Sequence, residues 1–100
     1  MIRHIVMWKL KPFAEGADCR ANAVRMKEML DGCAGIVPGM IAFESGIASE
    51  SAGSTCDVVL DSTFESKSAL EAYNAHPSHL SLKAFAALVR ESRHCVDFDI

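Results

Sequence analysis

The chain has no lysine- or arginine-rich block. Its ten basic residues are scattered against thirteen acidic ones, for a net charge of −3. A nucleic-acid footprint needs clustered positive charge, so that class of partner is excluded. Cys-x-x-Cys is absent too. Cys19, Cys33, Cys56 and Cys95 are never at metal-knuckle spacing, which argues against a zinc site or a disulfide framework and for reduced thiols that pack as small hydrophobes. No metal and no cofactor is expected. No apolar run approaches membrane-spanning length. The opening Met1–Leu10 is interrupted by Arg3 and His4 and is too short for a secretory signal. The expected setting is cytoplasmic, with no membrane partner.

What is present is apolar. Half of the 100 residues are hydrophobic and 23% are charged, a globular composition. The length fits one domain, residues 1–100. A domain this small and this apolar has more greasy surface than one core hides, which points to self-association.

Ile2–Leu10 reads as a strand with both parities apolar at its centre: His4, Val6 and Trp8 on one, Ile5 and Met7 on the other. Both faces must be covered, so this is a central strand. Pro12 ends it, and residues 13–17 read as a loop. Asp18 is placed to cap a helix over Cys19–Asp31. Met26, Met29, Leu30 and Cys33 form its buried stripe with Val24 adjacent, and Gly32 is the expected left-handed terminator. Met40–Gly46, weakened by Glu44 and Gly46, suits an edge strand. Residues 47–56 are small and polar, a loop. Asp57–Phe64 is a second strand apolar on both faces. Ser66 can cap a helix over Lys67–Ala75.

Pro77 forces His76 out of the helical region and suits the first position of a further helix, expected over Pro77–Glu91 with Phe85, Leu88, Val89 and Ser92 along one side. Arg93–Ile100 alternates Val96, Phe98 and Ile100 with Cys95, Asp97 and Asp99, a half-buried edge strand with the acids toward solvent.

The order predicts an α+β chain, a ferredoxin-like βαββαβ fold whose four-stranded antiparallel sheet carries helices on one face. The opposite face, bearing Val6 and Trp8 or their opposites, would cost about 25 cal/mol per Å² if left in water. A second copy packed sheet to sheet is the direct remedy, giving a homodimer with a common interior.

The run Tyr73-Asn74-Ala75-His76-Pro77-Ser78-His79, with the opening strand and the Pro38-Gly39 turn, resembles the stress-responsive dimeric α/β-barrel (Dabb) family over nearly the whole chain. The resemblance implies a dimeric α/β barrel. Some plant members are polyketide cyclases, and their tyrosine and histidine map onto Tyr73 and His79, with His4 lining the same pocket. Other related barrels are oxygenases, which no residue here singles out.

In that light His79 is the candidate base for an aldol condensation and Tyr73 the hydrogen-bond donor to the developing oxyanion. A helix start disfavours imidazolium and keeps such a ring neutral. The plainer reading has His79 capping a helix and bonding a backbone carbonyl, and Tyr73 as a core aromatic. His76 and Pro77 are structural. His4, Val6 and Trp8 line the expected pocket, with Trp8 either stacking on a planar ligand or filling space. The expected ligand is small and apolar or aromatic. The alternative is a stress-associated or ligand-binding protein without catalysis.

Overall fold

The computed structural model describes residues 1–100. Its elements are β1 (Ile2–Leu10), β2 (Phe13–Ala14), β3 (Ala17–Asp18), α1 (Cys19–Asp31), β4 (Met40–Ile47), β5 (Val58–Phe64), α2 (Lys67–Ala75), α3 (Pro77–Val89) and β6 (Arg90–Asp99). Four of these strands form an antiparallel sheet in the order β4-β5-β1-β6. The two strands that are apolar on both faces are therefore central, and the fold is ferredoxin-like.

Register decides the faces. His4 lies opposite Ser62 and Asp97, Val6 opposite Leu60 and Cys95, and Trp8 opposite Val58 and Arg93. This parity faces the helices. One cluster joins Val6, Trp8, Leu10, Val58 and Leu60 to Met26 and Leu30 of α1 and to Leu82, Phe85 and Val89 of α3. A second packs Tyr73 and Leu70 of α2 against Phe64 and Cys33. Each large side chain so buried stabilises the fold by roughly 1.5–3 kcal/mol.

Arg3, Ile5, Met7, Val59, Val96 and Phe98 belong to the other parity. Met7, Val96 and Phe98 are 39%, 50% and 40% exposed, so this face has no cover within one chain. Val96, Phe98 and Ile100 are thus on the open side and not half-buried.

The caps are local and clear. Asp18 accepts from the Ala21 amide and Ser66 from the Ala69 amide. Gly32 is not the left-handed residue. It stays right-handed at φ −66, because its amide still bonds the Glu28 carbonyl, and the reversal comes at Gly35. Residues 13–18 are a two-residue hairpin and not a plain loop. Glu15 and Gly16 take φ 51 and 76, which suits a type I′ turn. Buried Asn22 ties that hairpin to α1 by donating to the Ala14 carbonyl at 2.9 Å. Val24 and Leu88 are 41% and 52% exposed and leave the stripes expected for them.

Helix α3 stops at Val89, and β6 begins at Arg90 because Arg90 pairs with Leu10 beyond a bulge at Glu91 of β6. At Gly39 φ is 84, and an added Cβ would lie 2.9 Å from the Ala69 Cβ. Glycine there lets the β4 turn sit directly on α2.

Candidate functional site

The break at His76-Pro77 builds the site. His76 has φ −67 and ψ 140, which ends α2 and begins α3 at one residue. Its ring Nδ1 accepts from the Ser78 amide at 3.1 Å, so the capping side chain is His76 and not His79. The chain turns there and carries His79 back over the last turn of α2.

The Nδ1 of His79 lies 2.9 Å from the Asn74 carbonyl oxygen. A carbonyl only accepts, so Nδ1 carries the proton and the neutral ring leaves Nε2 with its lone pair. The His79 and Tyr73 rings are 4.7 Å apart between centroids. Tyr73 is held in turn by Phe64 at 5.4 Å and Phe43 at 5.6 Å, with His4 at 6.4 Å. Such tilted and edge-on pairs lock an aromatic ring in place.

Burial sets both protonation states. It is the main cause that pushes the His79 imidazole below the usual histidine range. Lys83, His4 and Arg93 add repulsion, while the bond to Asn74 acts the other way. Burial likewise lifts the Tyr73 phenol far above its usual range. The ring is 1% exposed, and no group of the chain accepts its proton. Tyr73 nevertheless lines the cavity beside it.

That cavity has a volume of about 370 Å³, within the size of small-ligand sites. Val6, Trp8, Leu60 and Leu82 make its apolar wall. His4, Tyr73 and His79 converge on it, and Lys83, Arg90 and Arg93 complete the lining. The five residues the sequence nominated around a pocket, namely His4, Val6, Trp8, Tyr73 and His79, all line this one space. Its location differs from expectation. It lies between sheet and helices inside one chain, because the His4 parity faces the helices and not a second sheet. Trp8 packs into the core cluster while bordering the cavity.

Alternation along β6 points its acids toward solvent, yet register puts Asp97 opposite His4. Its carboxylate accepts from the His4 Nδ1. The Ser62 hydroxyl also donates to the His4 carbonyl at 2.8 Å. The bond to Asp97 orients the imidazole, with Nε2 left over. Only strand pairing reveals this, and the sequence holds no local signal for it. Lys83 and Arg90 had such a signal, since His79, Lys83 and Arg90 recur at helical spacing.

His4, Cys95 and Asp97 have donor atoms within 4.8 Å of one another, close enough to share a cation. Two features weigh against that. Asp97 already engages His4 Nδ1, and burial followed by the Asp97 charge pushes the Cys95 thiol up, away from the thiolate a metal prefers.

A family model described as Stress responsive A/B Barrel Domain matches residues 2–100. No curated protein matches the sequence. Solved structures do. A dimeric protein of unknown function and ferredoxin-like fold from Bacteroides fragilis is 26% identical, with a TM-score of 0.80 over 99% of this chain and 95% of its own. A dimeric ferredoxin-like protein of unknown function from Thermobifida fusca is 19% identical, with a TM-score of 0.84 over 99% and 90%. A structure described as an antibiotic biosynthesis monooxygenase shares the fold at 17% identity, with a TM-score of 0.73 over 100% and 98%. No helix of this chain is long and apolar enough to cross a membrane. With the family match spanning residues 2–100, the chain belongs to the stress-responsive A/B barrel family.

Proposed function

We propose that this protein is a homodimeric, cyclase-type enzyme that binds a small carbonyl-bearing ligand with an apolar or aromatic body in each protomer. The observation that carries the reading is the 4.7 Å approach of Tyr73 to His79 beside a His79 tautomer fixed by the Asn74 carbonyl. His79 Nε2 takes a proton from a carbon acidified by an adjacent carbonyl. Tyr73, protonated throughout the physiological range, donates a hydrogen bond to the enolate oxygen. The enolate carbon then attacks a second carbonyl of the same molecule, forming a carbon–carbon bond. The resulting alkoxide takes the proton back from the His79 imidazolium. No external oxidant, metal or cofactor enters this balance.

The dimer part rests on the uncovered sheet face bearing Ile5, Met7, Val59, Val96 and Phe98, which a second copy covers. It agrees with the dimeric state of the two ferredoxin-like proteins from Bacteroides fragilis and Thermobifida fusca. The stress response named by the family is the physiological setting this reading adopts.

Deuterium uptake at the α-carbon of 1-phenylbutane-1,3-dione, followed by proton NMR, tests the chemistry without knowing the natural substrate. The wild-type protein is expected to accelerate uptake and His79→Ala to abolish the acceleration. Equal rates for the two proteins would leave a ligand-binding protein without catalysis.

A further inference from the structure

The charge of the cavity is opposite to that of the chain. The protein carries a net −3, yet Lys83, Arg90 and Arg93 line the cavity and no aspartate or glutamate does. None of these three cations is among the ion pairs of the chain, which engage Arg3, His4, Lys9 and Lys27 instead. They come from two directions. Lys83 lies one turn beyond His79 on α3, and Arg90 follows where α3 becomes β6. Arg93 stands on β6 opposite Trp8 and is near enough to act on both Tyr73 and His79. Unpaired cations at the edge of a low-dielectric space focus its potential and select anions.

We propose that the ligand of this cavity carries a carboxylate, held by Arg90 and Arg93, with its apolar body against Trp8, Leu60 and Leu82. Guanidinium forks match a planar carboxylate in two parallel hydrogen bonds. A phosphate matches the same forks, but the amide that a helix start adds for it is taken at Ser78 by His76. The inference deepens the ligand-cavity reading above and rests on it. It orients the ligand with its anion at the arginines and its reacting carbon toward His79.

The test uses Trp8, the one tryptophan of the chain, as a fluorescence reporter in titrations of the full-length protein. The probes are 4-butylbenzoate and its neutral amide, which differ in charge and hardly in shape. The wild-type protein is expected to bind the carboxylate about tenfold tighter than the amide, the scale of one charge-assisted hydrogen bond. Arg93→Gln and Arg90→Gln should each bring the affinity for the carboxylate down toward that for the amide. Added salt should weaken the carboxylate alone. Equal binding of the two probes to the wild type overturns the inference and leaves the cavity standing. Failure of both probes to change Trp8 emission overturns the ligand cavity and the inference together. Both arginines are exposed, so the variants should fold, and an unchanged thermal melt checks this.

Discussion

The Asn74 carbonyl accepts the Nδ1 proton of His79 across the break between α2 and α3, at 2.9 Å. That bond selects the tautomer. It leaves Nε2 as the basic atom, beside the Tyr73 ring, in a space where burial disfavours the imidazolium. The plainer reading of His79 in the sequence joins this contact to a helix cap, which His76 supplies instead. Bonding a carbonyl and serving as a base turn out to be compatible, because an imidazole has two nitrogens.

The Tyr73 hydroxyl and the Tyr73 ring separate cleanly by mutation. The hydroxyl bonds no group of the chain, so Tyr73→Phe should change stability by less than about 0.5 kcal/mol. The ring is 1% exposed between Phe64 and Phe43, so Tyr73→Ala should cost about 3–5 kcal/mol. Urea denaturation measures both. In α-proton exchange, Tyr73→Phe should lose about 10²-fold, the scale of one oxyanion donor.

Removing His79 should leave the fold intact. The ring is half-buried, and its one bond to the chain is to the Asn74 carbonyl. His79→Ala should therefore cost about 1 kcal/mol, the net worth of an ordinary hydrogen bond. Removing His76 takes away the cap of α3, and His76→Ala should cost about 0.5–2 kcal/mol. A denaturant series on the two variants tells the functional histidine from the structural one. Unfolding of His79→Ala at room temperature would assign His79 to structure.

The depressed His79 value has a pH consequence. The unfolded chain takes up this proton near the ordinary histidine value of about 6.5, while the folded chain resists it. Stability is untouched by this group above that pH. It falls as the pH drops from about 6.5 toward the lower folded value, because the unfolded state then binds more protons. His79→Gln should flatten that part of a stability-versus-pH curve measured by urea midpoints. The acid limb of any His79-dependent rate should also lie below 6.5.

How much of this is legible in the sequence depends on range. Caps at Asp18, Ser66 and His76 are readable because each rests on neighbours within three residues. The central strands are readable because two apolar parities demand two covers. The face of β6 is not. Val96, Phe98 and Ile100 alternate as a core-facing set would, and the same pattern occurs here on a face left uncovered within the chain. Only the register with β1 turns Asp97 toward His4. Gly32 shows a smaller limit: several glycines follow α1, and the hydrogen bonds of its last turn decide that Gly35 reverses the chain.

At Gly39 the positive φ and the Ala69 contact make a further prediction. Gly39→Ala places a Cβ 2.9 Å from the Ala69 Cβ at φ 84. A loss of about 1–3 kcal/mol in a urea melt is expected, while Gly53→Ala, in open space, should be neutral.

The open sheet face is tested by mass. Light scattering should give twice the 10.8 kDa chain mass, and Val96→Asp should shift the population toward the monomer by burying an unpaired charge in the interface. A wild-type monomer at micromolar concentration would contradict the dimer.

The base chemistry of the site turns on which nitrogen of His79 is free. Long-range proton–nitrogen NMR of the uniformly labelled protein at pH 7 reads this directly. The expected spectrum shows a protonated Nδ1 and a pyridine-type Nε2 for His79, with the Nε2 signal moving when the cavity is filled. A doubly protonated ring at pH 7, or the proton on Nε2, would contradict the base assigned here.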